Sequence, residues 1–72
     1  MMKKHSVKLW GHLTSITIED IFWDSLKEIA QKQSISLKKL IEQIDDAREG
    51  NLSSALRMYV CEYYKALAQN LL

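Results

Sequence analysis

Few residues of this 72-residue chain have the types and spacing to do chemistry. Two histidines, His5 and His12, and a lone cysteine, Cys61, are the nucleophilic or metal-ligating candidates. One cysteine cannot close an intrachain disulfide, and with two histidines it does not complete a structural zinc set. Asp45 and Asp46 are neighbours. On a helix, successive side chains point about 100° apart, so this pair cannot face each other as acid and base. Cys61 falls mid-helix among Met58, Val60 and Tyr64, which is the setting of a small buried hydrophobe. Gly11 and Gly50 are the only glycines, too few for the usual phosphate-cradling loops. The sequence therefore predicts no catalysis, no metal and no cofactor.

Two patterns suited to binding remain. The run Leu13-Thr14-Ser15-Ile16-Thr17-Ile18 alternates as a strand does, with Ile16 and Ile18 on one side and Leu13, Ser15 and Thr17 on the other. Hydroxyls can donate to or accept from base edges, and a leucine can touch a thymine methyl, so the second side is a candidate base-facing row. The other pattern is Ser36-Leu37-Lys38-Lys39. A helix opening there would offer free N–H groups at Leu37 and Lys38, the Ser36 hydroxyl and the ammonium groups of Lys38 and Lys39 to an anion. Lys3, Lys4 and Lys8 add a basic N-terminal segment able to meet phosphates without regard to sequence.

These residues need elements to hold them. Residues 1–6 read as a flexible basic arm. Residues 7–18 read as a strand or hairpin, with Val7 to Trp10 as its first strand and Gly11-His12 as the turn. Helix A is expected over residues 19–33, where Phe22, Leu26, Ile29 and Ala30 share a face and Glu19, Asp20 and Asp24 suit the positive end of the helix dipole. Helix B is expected over 36–47, capped by Ser36, with Leu37, Leu40, Ile41 and Ile44 inward. Gly50 fits a left-handed position after it, and Asn51 a cap for helix C over 52–70. The stripe of Leu52, Ala55, Leu56, Tyr59, Val60, Tyr63, Ala66 and Leu67 on that helix is broad enough for a dimer interface, or for the lid of a monomer core.

Chains of this size bury only about 60% of their unfolded surface and commonly need a staple or a partner. With 47% hydrophobic residues and no staple in sight, the natural source of extra core is a second copy, whose strand would pair with residues 13–18. No secretory or membrane-spanning pattern is present, which implies a cytoplasmic protein. The net charge is only +1, below the footprint usual for nucleic-acid binders. Its distribution is uneven: residues 1–18 carry three lysines and no acid, so the positive charge travels with the strand region.

The segments Thr14-Ser15-Ile16-Thr17-Ile18-Glu19-Asp20, Leu26-Lys27-Glu28-Ile29-Ala30 and Ser36-Leu37-Lys38-Lys39-Leu40-Ile41 together resemble the ribbon-helix-helix (Arc/MetJ-like) superfamily. Gly11-His12 before the strand, Phe22-Trp23, and Asn51-Leu52-Ser53-Ser54-Ala55-Leu56-Arg57 resemble a small bacterial subgroup of it more closely. The resemblance covers residues 6 to 67. It implies a mainly α fold with a short N-terminal β-ribbon, a ribbon-helix-helix with an added hairpin strand and an added C-terminal helix, in an intertwined homodimer. It further implies a transcriptional regulator, usually a repressor, whose paired strands enter the major groove of double-stranded DNA. Carried over by position, Leu13, Ser15 and Thr17 face bases, while Ser36, Leu37 and Lys38 meet phosphates.

A second expectation stands beside this one. Near-neutral charge, Leu13 in the outward row and the extra strand also fit a dimeric protein-interaction module that keeps the scaffold without sequence-specific DNA readout.

Overall fold

Strand side chains alternate, and the first nineteen residues use both sides of that alternation. In the computed structural model, which describes residues 1–70, Met2–Leu9 (β1) and His12–Glu19 (β2) form an antiparallel hairpin. The expected single domain ran to residue 72; residues 71 and 72 lie outside the described part. Leu9, Ile16 and Ile18 are buried on the inner face, with Val7 packed beside them. The expected flexible arm is corrected by this pairing: Met2 to Ser6 are strand, each opposite a residue of β2. Edge strands tolerate lysines, which blunt unwanted pairing, so a basic run reads as a tail until its mate is known.

The turn differs too. It is Trp10-Gly11, not Gly11-His12, and Leu9 faces His12 as the closing pair. Both turn residues have positive φ, 53° at Trp10 and 82° at Gly11, as a two-residue hairpin turn matched to strand twist requires. Glycine takes this backbone freely, whereas a bulky residue rarely does. Helix contacts hold Trp10 there. Its backbone N–H donates to Glu42 Oε2 at 3.0 Å and its indole N–H to Asp45 Oδ2 at 3.2 Å.

Three helices follow: α1 (Asp20–Lys32), α2 (Leu37–Ala47) and α3 (Leu52–Asn70). α1 starts where β2 ends, with Glu19 as its extended N-cap. It stops at Ser34, which takes φ 58° while the Ile35 N–H reaches back to the Ala30 carbonyl at 3.0 Å. That is the left-handed stop usually filled by glycine or asparagine. Asn51 caps α3 as expected, accepting from the Ser54 N–H at 2.8 Å. Gly50 does not take the expected left-handed conformation. α2 instead ends with Arg48 extended (φ −74°, ψ 152°), its side chain bonded to Asp45 Oδ1 and the Gly50 carbonyl.

One core joins the hairpin to all three helices. Ile16, Ile18, Leu26, Ile29, Leu40, Ile41 and Leu56 are fully enclosed, and burying each such side chain is worth roughly 1.5–3 kcal/mol. Most of the stripe on α3 covers the chain's own core, while Ala66 and Leu67 at its far end are exposed. Leu56 and Val60 are buried, and Leu52, Ala55, Tyr59 and Tyr63 pack against the same core. Cys61, expected to be buried, is exposed because it is turned about 100° from Val60 around α3, off the core-facing side.

Candidate nucleic-acid interface

The inner face of the hairpin decides where the outer face points. Because Ile16 and Ile18 are drawn into the core, Leu13, Ser15 and Thr17 must face outward, and all three are exposed, Leu13 by 78%. β1 widens this surface and leaves it open. The register sets Lys8 opposite Leu13, Ser6 opposite Ser15 and Lys4 opposite Thr17, and directly opposed residues share a face. The outer face is therefore a two-strand patch of Lys4, Ser6, Lys8, Leu13, Ser15 and Thr17. The candidate base-facing row and two of the three arm lysines lie together on it. Lys3 has the other parity, opposite Ile18, and belongs to the helix side.

Backbone groups matter here as much as side chains. In an antiparallel pair, opposed residues alternate between exchanging both hydrogen bonds and exchanging none. With Leu9 and His12 closing a two-residue turn, the bonded pairs are Val7/Thr14, His5/Ile16 and Lys3/Ile18. The Asp20 N–H donating to the Met1 carbonyl at 2.8 Å continues this series. The N–H and C=O groups of Leu13, Ser15 and Thr17 accordingly point away from β1, along the outer edge of β2. No strand among the described residues pairs with that edge. At its far end the Thr17 carbonyl accepts from the Ser53 hydroxyl at 3.0 Å, so α3 holds one of these groups and Leu13 and Ser15 keep theirs open.

The end of β2 also carries an ion pair. Arg57 Nε donates to Glu19 Oε1 at 2.7 Å in a half-buried ion pair. That hydrogen bond, and then one to the Glu19 backbone, hold the carboxyl below its usual range. Ser53 and Arg57, one helical turn apart on α3, thus fasten the strand-to-helix corner from which the outer face is presented. Sequence reading missed this pair. The signals in the sequence are their i, i+4 spacing and their place in the segment 51–57 already singled out.

The helix start of the second candidate site has the expected cap. Ser36 is an extended N-cap (φ −72°, ψ 155°), and its hydroxyl accepts from the Lys39 N–H at 3.0 Å. The hydroxyl is thereby committed to the cap, which leaves the N–H groups of Leu37 and Lys38 as the free donors at the positive end of α2. Lys38 and Lys39 are exposed, and neither is in an ion pair among the described residues. No hydrogen bond or ion pair among those residues links this helix start to the hairpin's outer face. Groups of His, Cys, Asp and Glu able to hold a metal do not occur among the described residues, and no helix there is long and apolar enough to cross a membrane.

Comparison with known proteins agrees with the fold. The profile of the ribbon-helix-helix domain matches residues 2–64, most of the chain. Among solved structures, an uncharacterized protein from Bordetella pertussis Tohama I superposes with a TM-score of 0.83 at 28% identity. That match covers 100% of this chain and 62% of the other, so the chain spans under two thirds of that protein's length. No curated protein matches the chain.

Proposed function

The chain belongs to the ribbon-helix-helix domain family, and on that premise we propose that it acts without catalysis, as a cytoplasmic homodimer that binds double-stranded DNA and regulates transcription. Members of the family are typically DNA-binding transcription regulators. The observation that carries the reading is the open row of Leu13, Ser15 and Thr17 beside an unpaired β2 edge. An edge with free N–H and C=O groups is a template for another strand. A second copy supplies one, and the paired β2 strands then present both rows to the major groove. Ile21, 72% exposed in the first turn of α1 directly after that strand, offers apolar surface for the same contact. Leu37 and Lys38, through their N–H groups, and the side chains of Lys38 and Lys39 bind the flanking phosphates, with Ser36 holding the helix start in place.

The test combines sedimentation with a duplex-binding titration in low salt. The expected result is a dimer that binds duplexes and loses affinity when Lys38 and Lys39 are both changed to Ala. A folded monomer at high concentration, or no binding to any of a varied set of duplexes, overturns the reading.

One observation favours a second reading. The exposed row contains Leu13 and no guanidinium, so it lacks the two-bond contact that most often reads guanine. A dimeric protein-interaction module would use the same face apolarly. Stable capture of a protein partner that shields Leu13, without DNA binding, selects it.

A further inference from the structure

We propose that β1 is a phosphate-gripping flank: Lys4 and Lys8, fixed on the outer face by the strand register, contact the DNA backbone along both rims of the major groove, and Lys3 does not. This rests on the DNA-binding dimer proposed above.

If two β2 strands pair along their open edges, the sheet order across the dimer is β1, β2, β2, β1. Strands lie about 4.8 Å apart, so the outer axes are about 14 Å apart, whereas the major groove is about 12 Å wide. A sheet of that width cannot sink in whole. The inner pair can approach the bases only if each outer strand lies over a sugar–phosphate wall. The residues at the two positions match that division. The inner strand shows Leu13, Ser15 and Thr17, and the outer strand shows Lys4, Ser6 and Lys8.

Charge supports the assignment. Lys4 and Lys8 are exposed, and neither is in an ion pair among the described residues. The one acid that shares their alternation, Glu19 opposite Met2, is occupied by Arg57. Four residue steps along the strand separate the lysines by about 13 Å, which lets each meet its own phosphate. An ammonium on a flexible stem suits this role, since it acts as a point charge and needs no fixed angle.

The experiment measures duplex affinity of the full chain over a salt series, using several unrelated sequences. Lys3→Gln, Lys4→Gln and Lys8→Gln each remove the same charge, so the first controls for bulk charge. With two copies per dimer, Lys4→Gln and Lys8→Gln should each lower the salt slope by about 2, equally for every sequence, and Lys3→Gln should leave it unchanged. Lys4→Arg should keep the wild-type slope, which separates lost charge from a damaged hairpin. If all three Gln variants lower the slope alike, or Lys4→Gln and Lys8→Gln leave it unchanged while Lys38→Ala/Lys39→Ala lowers it, the flank is wrong and DNA binding stands. If the unaltered chain binds no duplex, the functional reading fails and takes the flank with it.

Discussion

The two faces of one hairpin differ sharply. On the inner face Leu9, Ile16 and Ile18 are 3%, 2% and 0% exposed. On the outer face Leu13, in the same strand as the two isoleucines, is 78% exposed. The first set is bound into a core shared with three helices, so it has almost no freedom to vary. The second lies outside the buried core and carries lysines, serines, a threonine and a leucine. Alternation lets a single strand serve both ends: each inward isoleucine fixes the aim of its outward neighbours. The contrast teaches that the surface was made available by the fold without being needed for it.

Substitutions on the two faces should separate accordingly. Ile18→Ala leaves a cavity between the hairpin and the helices and should destabilise the chain by about 2–5 kcal/mol, read by denaturant unfolding. A loss below about 1 kcal/mol would mean that the inner face is not the anchor described. The corner between the faces should respond to acid. Because the folded Glu19 carboxyl is held below its usual value of 4.5, its contribution is complete above that pH and is lost as pH falls through the lowered value. Glu19→Gln should therefore be less stable than the parent at neutral pH, and the gap should close in acid. A gap that persists unchanged at low pH breaks the assignment of the Arg57 contact. Smallest of all, Leu13→Ala and Ser15→Ala should change stability by no more than about 0.5 kcal/mol. A loss approaching that of Ile18→Ala would show the outer face to be covered, and would point to a partner seated on it.

Much of this was legible in the sequence. The alternation of residues 13–18 separated inward isoleucines from outward hydroxyls, and the Ser36 and Asn51 caps marked where two helices begin. The apolar spacings within α1 and α2 named Leu26, Ile29, Ala30, Leu40, Ile41 and Ile44, all buried. The candidate rows followed from the same periodicities. Lys8 was legible within the expected first strand, alternating with Val7 and Leu9, but Lys4 was visible only as a charge on the expected arm. Their alternation with His5 and Val7 is the clue, yet His5 is a poor strand signal. It is the stack of His5 on Trp23, with ring centroids 3.8 Å apart, that helps hold it inward.

Local pattern, then, determined the strand, the helices and their buried sides, because side-chain period and capping depend on residues a few positions apart. Tertiary structure alone decided what depends on distant partners. It drew Met2 to Ser6 into a strand by supplying β2 as a mate. It set the turn at Trp10-Gly11 through bonds to Glu42 and Asp45, more than thirty residues away. It laid Leu56 and Val60 of α3 into the chain's own core and tied Ser53 and Arg57 to the end of β2. Each of these is a contact between segments that spacing along the chain does not relate, and only folding brings them within reach.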